Sequence, residues 1–451
     1  MGGGERIGKI ARTRVTGASP TQAPESTRLP GRALTALTTS ALAVPGLATQ
    51  AAADTPIEQA ATSYAFSYYD EDNLDNGKKV DGPDGGSTQR YEVLTHQIEF
   101  DLPVSSRMDV GVDFLYEKMS GASPWFVQAS GTERLQVMSG ATIDDTRYDL
   151  SADLDYYMED AKDTFSGGFS MEQDYLSVHG GAATERSYFD NNTTLSAAGA
   201  FAYDWIDPNN DRLSLARPNT GEKWSTDLFL GLSQLVTRAS AVQGTVNYKY
   251  SNGYLSDPYK AIRGFDVNDE ILSDRRPEEK HQASLLLRYR HHFEAITGSA
   301  HADYRFYVDD WGINSHTFEL AWHQNLFGLV TIIPAARYYS QGKADFYDTV
   351  LPAGTDEDDP GDRSSDYRLS PYGAMSWKIK AEAALEDLFD YSPGSRAEAL
   401  GFSGGLDLIV AFSYERYFSD GAFAIESVSD SEEAPALVNF QVFAFTLTGR
   451  F

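Results

Sequence analysis

The chain has 451 residues, of which 41% are hydrophobic and 12% aromatic, with a mean hydropathy of -0.40 and a formal charge of -29. Cysteine is absent, which excludes disulfides, thiolate metal sites, C-x-x-C-H haem attachment and a lipoprotein anchor on this chain. The acidity excludes nucleic acid as a partner and leaves divalent cations as the ions such a surface would attract.

Residues 1–53 differ from the rest. They carry six bases (Arg6, Lys9, Arg12, Arg14, Arg28, Arg32) and two acids (Glu5, Glu25), so 64 of the 66 acids lie beyond them. Arg28 and Arg32 precede an apolar run, Ala33–Leu47, and the small residues Ala51-Ala52-Ala53 precede Asp54. That order of basic, apolar and small segments predicts a secretory signal, with an N-terminal extension before it and one domain, 54–451, after it. No stretch of that domain has the ~20 consecutive apolar residues of a membrane-spanning helix.

From Asp54 onward the hydrophobic period is two. In "MDVGVDFLYEK", Met108, Val110, Val112, Phe114 and Tyr116 alternate with Asp109, Gly111, Asp113 and Glu117. "RYDLSADLDYYM" sets Tyr148, Leu150, Ala152 and Leu154 against Arg147, Asp149, Ser151, Asp153 and Asp155, and "LDLIVAFSYE" (406–415) alternates likewise. Period two means strand. The predicted strands are 62–70, 90–101, 108–118, 143–157, 164–172, 176–189, 193–204, 224–237, 240–253, 280–293, 296–309, 314–326, 329–345, 366–381, 400–415 and 437–451. Fourteen or eighteen strands remain open, because 164–204 can be divided differently.

Tight connections (103–107, 159–163, 190–193, 237–240, 293–296, 325–328) alternate with long acidic ones (71–89, 119–142, 205–223, 254–279, 346–365, 416–436). A soluble sandwich rarely repeats so many wide strands. Short turns at one end and long loops at the other predict a transmembrane, antiparallel, up-and-down β-barrel of about sixteen strands in a Gram-negative outer membrane. An even strand number places both termini on the periplasmic side. The connection 382–399 is long for that side and contains "EAALEDLF", a candidate short helix.

The stripe opposite the apolar one would line the lumen. One wall is acidic: Asp109, Asp113, Glu117, Asp149, Asp153 and Asp155, with Arg147 the one base. The other is mostly basic: Lys249, Arg288, Arg290, Arg305, Arg337, Lys378 and Lys380, interspersed with Asp303, Glu319 and His323. In a sixteen-stranded barrel the two walls are about eight strands apart and face each other. Such charges stay ionised only in water or in tight pairs, so either the lumen is wet or ion-pair networks plug it.

Four stretches carry a resemblance: "YEKMSGASPWFV" (116–127), "DYLS" (174–177), "NTTLSAAGAFAYD" (192–204) and "GYLSDPYK" (253–260). The chain resembles, over its length from about residue 60, a family of Gram-negative outer-membrane proteins classified as a domain of unknown function. The resemblance implies an outer-membrane barrel and no catalytic residues. It also implies genomic company with small lipoproteins and flavin-transfer proteins. Read physically, Ser120, Gly121, Ser123, Pro124 and Trp125 form a loop with an apolar tip that is costly to leave in water. Two placements are open: folded back on the barrel wall, or tucked into the lumen as a constriction.

"DEDNLDNG" (70–77), "DGPDGG" (81–86) and "DEDD" (356–359) invite divalent cations, yet none has calcium-loop spacing, since Leu74 stands where a ligand oxygen belongs. The histidines His281, His291, His292, His301, His316 and His323 lie on neighbouring strands without an H-E-x-x-H motif, so no metal site, cofactor or enzyme activity is expected. At the C-terminus, Phe443, Phe445, Leu447 and Phe451 form an apolar stripe that resembles the signal read by the barrel-assembly machinery, with Gly449 departing from it. The expected function is a passive channel for small polar solutes, surrounded by outer-membrane lipid and lipopolysaccharide. The alternatives are a plugged or scaffold barrel anchoring a lipoprotein or surface redox partner, and an embedded hydrolase.

Overall fold

The computed structural model describes residue 57 and residues 59–451, except 76, 81–88, 131–132, 140–142, 209–219, 265–270, 353–360 and 386–406. The expected signal segment, the "DGPDGG" and "DEDD" loops and the second half of the "EAALEDLF" stretch (386–389) lie outside the described residues, while 382–384 continue a strand rather than the expected short helix. Sixteen strands close into one antiparallel barrel. They are β1 Ala61–Glu71, β2 Glu92–Ser105, β3 Met108–Gly121, β4 Ile143–Met158, β5 Ala161–Met171, β6 Tyr175–Tyr188, β7 Thr193–Ile206 and β8 Gly221–Thr237. The circuit continues with β9 Ser240–Gly253, β10 Glu279–Phe293, β11 Gly298–Asp309, β12 Asn314–Leu326, β13 Val330–Gln341, β14 Tyr372–Ala384, β15 Asp407–Asp420 and β16 Phe440–Arg450. Neighbours in the barrel follow chain order, and β16 pairs with β1, Phe66 opposite Phe445 and Ala61 opposite Arg450. Closure leaves no strand edge unpaired. No helix among the described residues is long and apolar enough to cross a membrane.

The side chains are inverted relative to a soluble protein. Leu230 and Leu320 are each 65% exposed, whereas Asp227, Glu117 and Asp149 are 3%, 4% and 6% exposed. Water would never arrange a sheet this way, because exposed apolar area costs free energy in proportion to its size. Lipid around the barrel removes that cost, and the polar stripe turned inward keeps its hydrogen-bonding partners. This is the architecture of Gram-negative outer-membrane barrels.

The two ends differ. At one end the connections are tight, such as 106–107, 159–160 and 238–239. Phe327 and Gly328 both take positive φ there (58° and 74°), the reversed geometry that suits a hairpin's twist. At the other end stand the long loops, although two connections there are short as well, 172–174 and 310–313. Residues 366–371 depart from the predicted strand and lie in a loop instead. Asp366 accepts a hydrogen bond from the Arg368 N–H and starts a 3-10 turn over Tyr367–Leu369, and Pro371 cannot donate to a ladder.

Candidate functional site: a charged lumen beneath a folded cap

Strand parity aims each predicted wall residue. On β3 and β4, Asp109 stands opposite Asp155, Glu117 opposite Arg147, and Asp113 opposite Ser151, all on the inward face. Glu99 and Asp101 of β2 join them, Glu99 directly beside Asp113. Asp101 lies within electrostatic reach of Asp153, Asp109, Asp155 and Asp113. Among the described residues, Lys162 Nζ is 3.4 Å from Asp155, Arg147 is 3.4 Å from Asp149, and Gln97 donates to Asp113 over 2.6 Å. The Ile57 N–H donates to Asp109 over 3.0 Å. Glu99 and Asp101 are not among the predicted wall residues, although the alternation of "VLTHQIEFD" contains them.

The facing wall is more mixed than predicted. Arg288, Asp303, Glu319 and Arg337 occupy one continuous row across β10–β13. Asp303 binds Arg290 and lies 3.4 Å from Arg288, while Lys380 is 3.0 Å from Glu382. Arg305 lies within reach of both Arg337 and Arg288, and Lys378 is registered against Glu415. Lys249 stands apart on β9, opposite Asp227 of β8. Glu319 is exposed although it points inward, and its chain neighbour Leu320 is exposed on the outward face. The sheet at that level is therefore accessible on both sides.

Over the long-loop end the loops fold on one another. Residues 124–130 and 133–138 form a hairpin that Lys79–Val80 extends, and Ala261–Arg263 pairs with Ile271–Ser273. Trp125, Phe126 and Val137 pack against Ala261. A second apolar cluster joins Trp311, Ile313, Ala344, Tyr347, Tyr367, Leu369, Ala434, Ala436 and Val438. The first cluster joins the connections after β3 and β9, and the second joins those after β11, β13 and β15, so the loops fold over the opening in order to meet.

Ion pairs hold that cap. Arg276 reaches Asp274 (2.8 Å) and Asp366 (2.9 Å), and Arg368 binds Asp366 and Asp257. Two loops, those after β9 and β13, are thereby tied, with Asp274, Arg276, Asp366 and Arg368 nearly fully removed from solvent. The two guanidiniums hold the Asp366 carboxyl well below the usual range despite its burial. Arg90 is wholly buried, bonds Glu71 of β1 at 2.7 Å and lies over the Tyr367 ring. Gln341, inward on β13, donates to the carbonyls of Arg368 (3.0 Å) and Ser370 (2.7 Å), which seats the loop on the wall.

The predicted constriction residues divide. Ser120 lies on the outward stripe of β3. Gly121 ends that strand at φ +135°, where an added Cβ would sit 2.6 Å from the Arg90 carbonyl oxygen. Ser123, Pro124 and Trp125 enter the cap, where the Lys260 ammonium donates to the Pro124 carbonyl and lies 3.4 Å from Ser123 Oγ. The two motifs "MSGASPW" and "GYLSDPYK" thus meet. Burial pushes the Lys260 ammonium down to about 8. Phe443, Phe445, Leu447 and Phe451 follow the outward stripe, with Phe443 46% exposed, and the Phe451 N–H bonds Ala60 at 2.9 Å.

The histidines do not form one site. His301 and His323 stack at 3.9 Å inside the lumen, whereas His281, His291 and His316 face outward. Among the described residues one group of three carboxylates converges, Asp145, Glu172 and Asp174, at the rim of the long-loop end. The stretch "GFSGG" (401–405) has the G-x-S-x-G spacing of a hydrolase elbow, but it lies outside the described residues.

Solved structures similar to the chain are barrels. A bacterial polysaccharide outer membrane secretin matches with TM-score 0.44 and 9% identity, over 87% of this chain and 98% of that one. CdiB from Acinetobacter baumannii matches with TM-score 0.45 and 8% identity, over 87% and 60%. A Pseudomonas aeruginosa FadL homologue matches with TM-score 0.38 and 12% identity, over 87% and 90%. No relative among curated proteins matches. A family model does match, over residues 34–395, and it covers most of the chain. The protein belongs to the DUF3570 family, proteins of unknown function.

Proposed function

We propose that the barrel is a passive outer-membrane channel for small polar solutes and ions. The cap narrows access at the long-loop end, and the opposed lumen walls set a field across the path. The observation that carries the reading is Glu319, inward and exposed in the same row as Arg288, Asp303 and Arg337. An inward carboxylate with that exposure has water beside it, and a wet lumen with unlike walls orients dipolar solutes and favours one sign of ion. The cap makes the conductance small. Its motif-bearing residues Ser123, Pro124 and Trp125 work as part of the constriction, jointly with 363–371. The long loops face outward and the termini lie in the periplasm, a reading supported by the even strand number. Phe451 and its stripe are the segment read by the assembly machinery. The chain has no catalytic role, consistent with histidines divided between the two faces of the wall.

Planar-bilayer recording tests this. Charge reversal of Arg288 and Arg305 together should raise the cation-over-anion permeability ratio several-fold. Unchanged selectivity in an open channel overturns the reading.

A second reading has its own observation. The cap has a hydrophobic core and self-neutralising ion pairs, as a closed scaffold would. Such a barrel would anchor a lipoprotein or surface redox partner. Silence in bilayers together with co-purification of a small partner would favour it.

A further inference from the structure

On the outward face one arrangement of three side chains recurs. Phe66 of β1 stands directly opposite His96 of β2, and two residues before it Tyr64 reaches the same histidine, Oη to Nδ1 at 2.8 Å. Tyr250 of β9 stands opposite His281 of β10, and Tyr248 meets its Nδ1 at 2.7 Å. Phe306 of β11 stands opposite His316 of β12, and Tyr304 meets its Nδ1 at 2.9 Å. In each case the ring directly opposite packs on the imidazole, with centroids 5.3, 4.7 and 5.2 Å apart. The local pattern is Y-x-[FY] on a rising strand and His on the next, at 64–66, 248–250 and 304–306.

All three histidines lie roughly ten residues along their strands from the short-turn end, which is the length a tilted strand needs to cross the hydrocarbon layer. They therefore stand where acyl chains give way to headgroups. Each Nδ1 is taken by a tyrosine, and none of the three Nε2 atoms has a protein partner among the described residues. A tyrosine hydroxyl that donates to Nδ1 selects the tautomer with its proton on Nε2, which is then held toward the lipid boundary. An N–H left without an acceptor there is costly, and a fixed cation in its place would be costlier still. The ring clamp holds the donor in one orientation before any ligand arrives, so little ordering entropy is lost on binding.

We propose that these three Tyr–His clasps are binding sites for the phosphate groups of the glycolipid in the leaflet at the long-loop end, each Nε2–H donating to a phosphate oxygen. The inference rests on the barrel standing in the outer membrane with its long loops outward, and is independent of whether the lumen conducts. Glu92 and Glu279 lie on the same stripe, closer to the loops than His96 and His281 respectively. Their negative charge disfavours any anion there, so a phosphate held at the clasp must be retained by its acyl chains as well.

The test uses the full barrel in nanodiscs of phosphatidylcholine doped with lipid A or with dephosphorylated lipid A, and native mass spectrometry to count retained glycolipid. The wild type should retain the phosphorylated form several-fold over the other. The triple variant His96→Phe, His281→Phe, His316→Phe keeps the stacked rings and should bring that ratio near one. Tyr64→Phe, Tyr248→Phe, Tyr304→Phe removes only the hydroxyls and should give an intermediate ratio, which covers the case of a misfolded histidine variant. His301→Phe with His323→Phe, inside the lumen, should leave the ratio unchanged. Equal retention of both lipids by the wild type, or an undiminished ratio in both outward variants, overturns the proposal. Displacement of the lipid by excess inorganic phosphate also overturns it, since the clasp would then be a free-anion site. Conductance should be the same in wild type and triple variant, so failure here is separable from failure of the channel reading.

Discussion

The cap and the lumen walls use the same side chains to opposite ends. In the cap, Asp257, Lys260, Asp274, Arg276, Asp366 and Arg368 are withdrawn from water and paired sign against sign. On the walls, carboxylates collect on β2–β4 and bases on β10–β14, so that the two signs stand on different sides of the lumen. Local neutrality with burial yields a fixed structure, because a charge removed from water is held only by its counter-ion. Separation of the two signs onto opposite walls leaves a field that a passing solute can feel. The difference lies in placement rather than composition.

That contrast can be broken most severely at Asp366. Asp366→Asn leaves Arg276 and Arg368 buried beside a neutral amide, and removal of one partner of a buried pair costs about 3–5 kcal/mol. The cap should open, seen as protease cleavage within 342–371 and a larger single-channel conductance, while the barrel's resistance to detergent unfolding persists. A smaller effect is expected from Gly121→Ala. Its positive φ and the nearby Arg90 carbonyl oxygen together predict a loss of roughly 1–3 kcal/mol, read as a lowered cap transition in hydrogen exchange. The weakest expected effect is on pH dependence. Lys260 sits near 8 in the folded cap, below the ~10.4 of a free lysine, so between those values the unfolded cap binds more protons. Cap protection should therefore rise as pH goes from about 8 to 9.5, and Lys260→Met should flatten that rise. A slope that persists in the variant would place its source elsewhere.

The barrel was legible because both faces of every strand have a solvent of their own, lipid outside and water or polar neighbours inside. Alternation then survives along most of each strand, and 193–204 and 240–253 were readable almost to the residue, against observed strands of 193–206 and 240–253. Parity placed Asp109, Asp113 and Arg288 on the inward face for the same reason. The cap was not legible. Arg276 and Asp366 are ninety residues apart in sequence and no period links them. Tyr367 and Leu369 look like strand residues because a packed loop core and a lipid-facing strand choose the same side chains. The mixed character of the basic wall was hidden similarly: only the register shows Asp303 reaching both Arg288 and Arg290. Sequence order alone leaves the outward histidines in one set with the inward ones. Parity alone separates them, since His281 and His316 share the stripe of Leu285 and Phe318, while His301 and His323 share that of Asp303 and Glu319.

The seam between β1 and β16 joins the most distant parts of the chain. Ser63 and Thr448 share a hydrogen bond at 2.7 Å across 385 residues. Every other ladder in the barrel joins strands adjacent in sequence, so each can zip from its hairpin as soon as both strands exist. Only this ladder must wait for all the others, and its high contact order makes it the slow step of folding. Until it forms, the sheet is an open ribbon with two hungry edges in a crowded membrane, ready to pair with a second copy. Residues 61–71 and 440–450 are thus the segments whose mutual recognition decides between a closed monomer and a tangled one.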